Sequence, residues 1–145
     1  MKMNRLYLRL LAILIALVLI ALVGFRYIFR DSQEDFSGIK PKYTLSASEL
    51  YSAFSTNEAE ANQKYSGEVI EVYGKLTERS LDDWEQTFLY FIDPLFGVTV
   101  VIDSVMSLKQ TDLLNALETG DEIRIKGRCD GMLTDVRISK SVLVD

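Results

Sequence analysis

The chain has 145 residues, of which 48% are hydrophobic and 26% are charged, and it carries a net charge of −5. It contains one cysteine and no histidine, which excludes an intrachain disulfide, a thiol metal cluster, His-based catalytic triads and most catalytic zinc sites. All 21 acidic residues lie at or after Asp31, so residues 31–145 hold 11 basic and 21 acidic side chains, a net charge of −10. So negative a domain repels phosphate backbones, which disfavours nucleic acid as a partner.

An uncharged, apolar run occupies residues 10–25 (LLAILIALVLIALVGF). A helix crosses the bilayer core with about 20 largely apolar residues. Apolar residues on both sides of the run bring it to that length. We therefore predict a transmembrane anchor over residues 1–30, with the lipid bilayer as a partner. A cleaved signal peptide is the alternative. Its apolar region would be about 7–15 residues long and followed by a small-x-small site, which is not evident here.

Flanking positive charge predicts the orientation of this anchor. Lys2, Arg5 and Arg9 precede the apolar run, whereas Arg26 and Arg30 follow it. The basic excess on the N-terminal side favours a cytoplasmic N-terminus. The C-terminal domain is then extracytoplasmic, which in a bacterium means the periplasm or the cell exterior.

Residues 31–45 are polar and predict a linker, so that a domain follows over residues 46–145. The sequence Ser46-Ala-Ser-Glu49 fits a helix capping box, and the apolar spacing after it predicts an amphipathic helix over 47–64. Gly67 is a plausible stop for that helix.

Alternating and β-prone stretches after Gly67 predict five strands, with one helix between the third and the fourth. The strands are predicted over 68–78, 87–92, 98–102, 122–129 and 135–144, the helix over 104–117, and a turn at Asp130-Gly131. This order, α-β-β-β-α-β-β after the membrane segment, is that of the OB-fold, a mainly β, partly open Greek-key barrel. Gly74 and Gly127 fit strands that bend sharply to close a small barrel.

Several segments resemble a known family. Residues 57–65 (NEAEANQKY), Gly67 and residues 72–75 (VYGK) are similar to the N-E-x-x-A-x-x-K-Y helix end and the V-x-G-x-V strand of the bacterial tRNA_anti-like OB-fold family. Residues 117–135 (LETGDEIRIKGRCDGMLTD) resemble its late G-D-x-V-x-[IV]-K-G-x-C-x-G block. The resemblance covers about residues 46–144 and implies an OB-fold behind a membrane or lipoprotein segment. Family members often carry cysteines near the third strand and in the last strand, and both are absent here. A shared fold does not by itself transfer function.

One candidate site lies at the end of the first predicted helix. Glu58 and Lys64 are candidates to line a ligand site where that helix meets the barrel. The structural alternative is that Tyr65 packs against the first strand while its polar neighbours cap or tie down the helix.

A second candidate site lies in the loop after the first strand. Asp82 and Asp83 stand beside Trp84, and carboxylates next to an exposed indole fit a sugar or a cation. Tyr90, on the following strand, belongs to a set of aromatic residues that fits a stacking platform. The alternatives are a solvated loop and aromatic side chains that fill the core.

These observations predict a non-enzymatic, extracytoplasmic binding or interaction module for an envelope protein or a carbohydrate, with no cofactor, no metal and no catalytic residue. A single-stranded nucleic-acid-binding protein is the alternative function. A hydrolase that uses Asp82 and Glu85 as paired acids is a further, weaker alternative. Basic neighbours of Cys129 could lower the pKa of its thiol, but the chain offers no histidine to assist a nucleophile.

Overall fold

The computed structural model describes residues 5–30 and 35–144, and the chain divides into two compact units at residues 34 and 35. The first unit contains helix α1, over Arg5–Arg30. The large apolar side chains from residue 11 to residue 25 are exposed. Within the described part of the chain, no helix combines the length and the apolar character needed to cross a membrane. The transmembrane anchor therefore stays a prediction.

The second unit is mainly β. Its strands are β1 (Tyr43–Ser46), β2 (Val69–Leu81), β3 (Thr87–Phe91), β4 (Val98–Ile102), β5 (Glu122–Met132) and β6 (Val136–Val144). Five of them form a closed barrel in the order β2-β3-β4-β6-β5, because β5 also pairs with the first half of β2. Strands β4 and β6 are parallel, and the other neighbours in the barrel are antiparallel. The predicted OB-like barrel is confirmed.

Strand β2 closes the barrel because it pairs with two neighbouring strands. Its first half pairs with β5 and its second half pairs with β3, with an irregularity between Leu76 and Glu78. Gly74 lies where the two halves meet, and a Cβ there would stand 3.2 Å from the ring of Phe91. The missing side chain lets β3 approach this part of β2, as expected for a strand glycine.

Three of the four residues of strand β1, residues 43–45, lie in the segment that was predicted to be a linker. It pairs in parallel with the first half of β2, from Tyr43 opposite Ile70 to Ser46 opposite Tyr73. Phe36, which also falls in the predicted linker, is buried within the second unit. Residues 31–34 lie outside the described residues. The reason for the difference is that β1 gains its hydrogen bonds from a strand more than twenty residues away, so no local pattern marks it.

Four short helices accompany the barrel: α2 (Ala47–Thr56), α3 (Glu58–Tyr65), α4 (Ser104–Lys109) and α5 (Thr111–Ala116). Each of the two predicted helices is therefore divided. The first divides at Asn57, whose φ of −151° is not helical and whose side-chain oxygen accepts a hydrogen bond from the Glu60 backbone N–H at 3.3 Å. Asn57 ends α2 and caps α3 at once.

Helices α2 and α4 pack into the barrel. Leu50 and Phe54 of α2 are fully buried in the core, together with the inward-facing aliphatic side chains of the strands. Helix α4 is tied to β3 by the Ser107 hydroxyl, which donates to Thr87 Oγ1 at 3.0 Å. The residue after α4, Gln110, exchanges two hydrogen bonds with the backbone of Leu143 in β6. These contacts fix both helices on the barrel.

The predicted turn at Asp130-Gly131 is wrong. Strand β5 continues through these residues to Met132, and its register with β6 shifts between Cys129 and Gly131. Gly131, at a φ of +103°, supplies the backbone conformation that this irregularity needs. The connection to β6 follows at residues 133–135.

Candidate ligand-binding face

The side of the barrel formed by β2, β3, β4 and β6 presents a row of outward side chains, which we call the outer face. Leu89 and Phe91 of β3 are buried in the core, so the alternation of a strand turns Phe88 and Tyr90 outward. The register places Tyr90 opposite Glu78 of β2 and Thr99 of β4. The outer face consists of Glu78, Ser80, Phe88, Tyr90, Thr99, Val101 and Arg137.

Two half-buried aromatic rings lie on the outer face. Phe88 and Tyr90 are both partly accessible, and the Tyr90 hydroxyl lies 3.4 Å from the hydroxyl of Ser80. Thr99 and Val101 beside them are nearly covered. The rings therefore offer part of their surface for contact with a flat or apolar part of a ligand.

The loop between β2 and β3, residues 82–86, borders the outer face and exposes Trp84. The indole is 76% exposed, although a large aromatic side chain is normally well buried. Asp82 shapes the loop, because its Oδ1 accepts the backbone N–H groups of Trp84 at 3.0 Å and of Gln86 at 2.8 Å. The Asp82 backbone N–H also donates to the Gln86 carbonyl at 3.1 Å. Trp84 is thus held out in solvent by an ordered loop.

The outer face and its bordering loop are acidic. The carboxylates of Asp83 and Glu85 are exposed next to Trp84. Together, the outer face and the loop carry four carboxylates and one guanidinium, from Glu78, Asp82, Asp83, Glu85 and Arg137. This charge repels a phosphate backbone and favours hydroxyl groups or cations.

The structure separates the predicted site residues into two groups. Asp82, Asp83, Trp84 and Tyr90 belong to one hairpin, β2–β3, and so to one candidate site. Glu58 and Lys64 lie on α3, a different element, and none of the contacts among the described residues links them to that hairpin.

Lys64 belongs to an aromatic cluster that the sequence did not reveal. Its Nζ lies 5.0 Å from the centre of the Tyr65 ring and 5.6 Å from that of Tyr43, and the two rings meet edge to face at 5.2 Å. Glu58 accepts a long hydrogen bond from Asn62 of the same helix, at 3.5 Å. The ring contacts fasten α3 to β1, whereas the structural alternative had placed Tyr65 against the strand predicted over 68–78. Tyr43 was missed because it lies in the predicted linker.

Cys129 is fully buried, and burial raises the pKa of its thiol to about 11. The cause is loss of solvation, which outweighs a hydrogen bond from the Gly131 backbone. The expectation that basic neighbours would lower this pKa is therefore wrong. Across the described residues, no group of three or more His, Cys, Asp or Glu side chains is placed to hold a metal ion.

Comparison with known proteins defines the class to which this barrel belongs. The sequence matches the tRNA_anti-like family over residues 1–143. The chain therefore belongs to the tRNA_anti-like family, as the two sequence blocks had indicated. No curated protein matches the sequence significantly.

Solved structures share the fold. One is a crystal structure from Klebsiella pneumoniae subsp. pneumoniae MGH 78578, provisionally described as a nucleic acid-binding lipoprotein. It is similar to this chain with a TM-score of 0.54 and 19% sequence identity, over 70% of this chain and 91% of the other. At this identity the likeness shows the fold alone.

Proposed function

We propose that this protein is a membrane-tethered, extracytoplasmic OB-fold module that binds a carbohydrate, or alternatively a protein, without catalysing a reaction. The observation that carries the proposal is the outer face, where Phe88 and Tyr90 are accessible beside the exposed ring of Trp84. OB-folds use this sheet face and the loop after the first barrel strand to bind oligonucleotides and oligosaccharides.

The charge of the outer face favours a carbohydrate over a nucleic acid. Aromatic rings stack on bases and on sugar rings alike, but a nucleic acid also needs cations for its phosphates. Here the cation on the face is Arg137, and the exposed carboxylates of Asp83 and Glu85 lie beside Trp84. Carboxylates accept hydrogen bonds from sugar hydroxyls, so the same residues that repel a phosphate suit a neutral sugar.

The absence of a catalytic role rests on the chemistry of the candidate groups. The chain has no histidine to act as a base near neutral pH. Burial keeps the Cys129 thiol protonated. Asp82, one of the two acids considered for hydrolysis, uses Oδ1 to accept two backbone N–H groups of its own loop. A binding role needs none of these groups to react.

The tether is supported by α1 and by the charges around it. The uncharged residues 10–25 all lie within this helix, which exposes their apolar side chains. Exposing so much apolar surface to water costs free energy, and a bilayer removes that cost. Basic residues dominate on the N-terminal side, and all the acidic residues follow the helix. The Klebsiella structure with the same fold is described as a lipoprotein, which fits attachment to an envelope membrane.

A glycan array tests the proposal, with the full chain held in lipid nanodiscs. We expect binding to envelope-type glycans that Trp84→Ala and Tyr90→Ala each weaken about tenfold or more. Tyr73→Ala is the matched control, because this half-exposed tyrosine lies on the part of β2 that pairs with β5. No glycan binding, or equal loss with the control, contradicts the carbohydrate proposal.

Single-stranded nucleic acid is the second candidate ligand. It is favoured by the description of the Klebsiella structure and by the OB-fold itself. Fluorescence anisotropy with a labelled oligothymidine at several salt concentrations tests it. Micromolar or tighter binding at physiological salt that weakens steeply as salt rises would establish this function in place of the first.

A further inference from the structure

A cleft lies beneath the β2–β3 hairpin, apart from the outer face. It has a volume of about 470 Å³, within the usual range for small-ligand sites. One wall comes from the hairpin, including Arg79, Leu81 and Glu85, and the other from α4 and α5, including Leu108 and Leu114. Arg79 pairs with the buried Leu89 in the β2–β3 register, so it lies on the opposite side of the hairpin from Tyr90.

The walls of the cleft expose apolar surface. Leu81 is 67% exposed and Leu108 is 64% exposed, whereas Leu114 is buried at the base. The Ser107 hydroxyl donates to Thr87 Oγ1 and lies 3.2 Å from the Ile102 carbonyl, so within the described part of the chain neither buried hydroxyl lacks a partner. An apolar side chain of a ligand can therefore enter the cleft without displacing a hydrogen bond between these groups.

Two opposite charges line the same cleft without pairing. The Nη1 of Arg79 donates to the Leu114 carbonyl at 2.6 Å and to Asn115 Oδ1 at 3.3 Å, both neutral acceptors. Among the described residues, the ion pairs include neither Arg79 nor Glu85. A guanidinium has five N–H donors, so Arg79 keeps donors for a carboxylate.

We propose that this cleft binds a short apolar peptide. The ligand carboxylate contacts Arg79, its ammonium group lies toward Glu85, and its apolar side chains pack on Leu81, Leu108 and Leu114. A zwitterionic ligand supplies an opposite charge to both Arg79 and Glu85, whereas a purely anionic or purely cationic ligand leaves one of these two residues unpaired. None of Trp84, Phe88 and Tyr90 lines the cleft, so its ligand is separate from the aromatic contacts of the outer face, although Glu85 belongs to both sites.

Isothermal titration of the full chain in nanodiscs with the dipeptide Leu-Leu tests the proposal. Leu-Leu amide removes the carboxylate, N-acetyl-Leu-Leu removes the ammonium group, and Gly-Gly removes the apolar side chains. We expect each analogue to bind about tenfold more weakly or worse than Leu-Leu. No binding of Leu-Leu at millimolar concentration, or equal binding of the acid and the amide, overturns the proposal.

Variants of the protein test which residue of the cleft contacts each charged end of the peptide. Glu85→Gln should remove the preference for Leu-Leu over its N-acetyl form, and Arg79→Lys should reduce the preference for the acid over the amide. Leu108→Ala, at an exposed position, tests the apolar wall without touching the core. Lys75→Gln is the control, because it removes one positive charge from the same strand at a residue outside the cleft. Unchanged selectivity in all three cleft variants rules the cleft out as the site.

Discussion

Gly127 of β5 lies against Ile138 of β6 so closely that a Cβ at position 127 would stand 2.7 Å from Ile138 Cγ2. The Ser139 carbonyl would be only 2.9 Å away. The register of the two strands shifts between Lys126 and Arg128, on either side of this glycine. The Ser141 hydroxyl also lies within contact distance of that Cβ position. Strands β5 and β6 therefore pack here so closely that only a residue without a side chain fits between these groups.

Replacing Gly127 by alanine should destabilise the barrel by about 1–3 kcal/mol, because the added methyl group overpacks a site bounded by the Ser141 and Ile138 side chains and the Ser139 carbonyl. Thermal unfolding of the full chain in detergent, followed by circular dichroism, measures this. Gly38→Ala is the control, since a Cβ at that position meets nothing within 4 Å. It should change stability by less than about 0.5 kcal/mol. Equal stability of both variants would show that β6 can shift to accommodate the added methyl group.

The capping box at the start of α2 supplies the second prediction. The Glu49 backbone N–H donates to Ser46 Oγ at 3.1 Å, and Glu49 Oε2 accepts the Ser46 backbone N–H at 2.8 Å. Ser46→Ala should destabilise the protein by about 1 kcal/mol. Ser48→Ala, at an exposed position inside the same helix, should be neutral. A matching loss in both variants would contradict the role of the cap.

The same box predicts a dependence on pH. Hydrogen bonds from the Ser46 backbone and hydroxyl lower the pKa of Glu49 below its ordinary value of 4.5. A carboxyl with a lowered folded pKa stabilises the fold above its unfolded pKa and loses that contribution as the pH falls through the folded pKa. The stability difference between the native chain and Glu49→Gln should therefore shrink below about pH 4.5. Thermal unfolding at a series of pH values measures it, and a constant difference contradicts the assignment.

The barrel strands could be predicted from sequence because their side chains alternate between core and solvent. In β3, Thr87, Leu89 and Phe91 are buried while Phe88 and Tyr90 are partly accessible. The alternation alone places Phe88 and Tyr90 on one face and Leu89 and Phe91 on the other, and the structure shows that the second pair is the buried one. Alternation could not reveal β1, whose four residues depend on parallel pairing with distant residues of β2.

Neither the cleft nor the breaks in the two predicted helices could be predicted from the sequence, and the reasons differ. The cleft walls come from residues 79–87 and 107–115, and only the packing of α4 and α5 beneath the hairpin brings them together. Asn57 interrupts its helix by capping the next one, and the spacing of the apolar residues around it stays nearly helical through the break.

Cys129 should be inert in the folded protein. With a thiol pKa of about 11, roughly one thiol in a thousand is ionised at pH 8, and the side chain is fully covered. Because the chain has a single cysteine, its reaction with a chromogenic disulfide reagent reports this residue alone. We expect rapid reaction in denaturing guanidinium chloride and slow reaction, limited by unfolding, in native buffer. Rapid reaction of the native protein would contradict the burial.

Asp82 should affect glycan binding indirectly, because it orders the loop that holds Trp84. Its Oδ1 accepts the backbone N–H groups of both Trp84 and Gln86, whereas Asp83 is exposed and makes no such bond within the described residues. Asp82→Ala removes the acceptor that orders the loop and should speed hydrogen exchange at these two amides. Asp83→Ala removes the same charge and should leave that exchange unchanged. Backbone amide NMR distinguishes the two variants, and equal protection in both would mean that the loop is held by other contacts. If the loop is loosened, Trp84 loses its fixed position, so Asp82→Ala should also weaken glycan binding while Asp83→Ala affects it only through the lost charge.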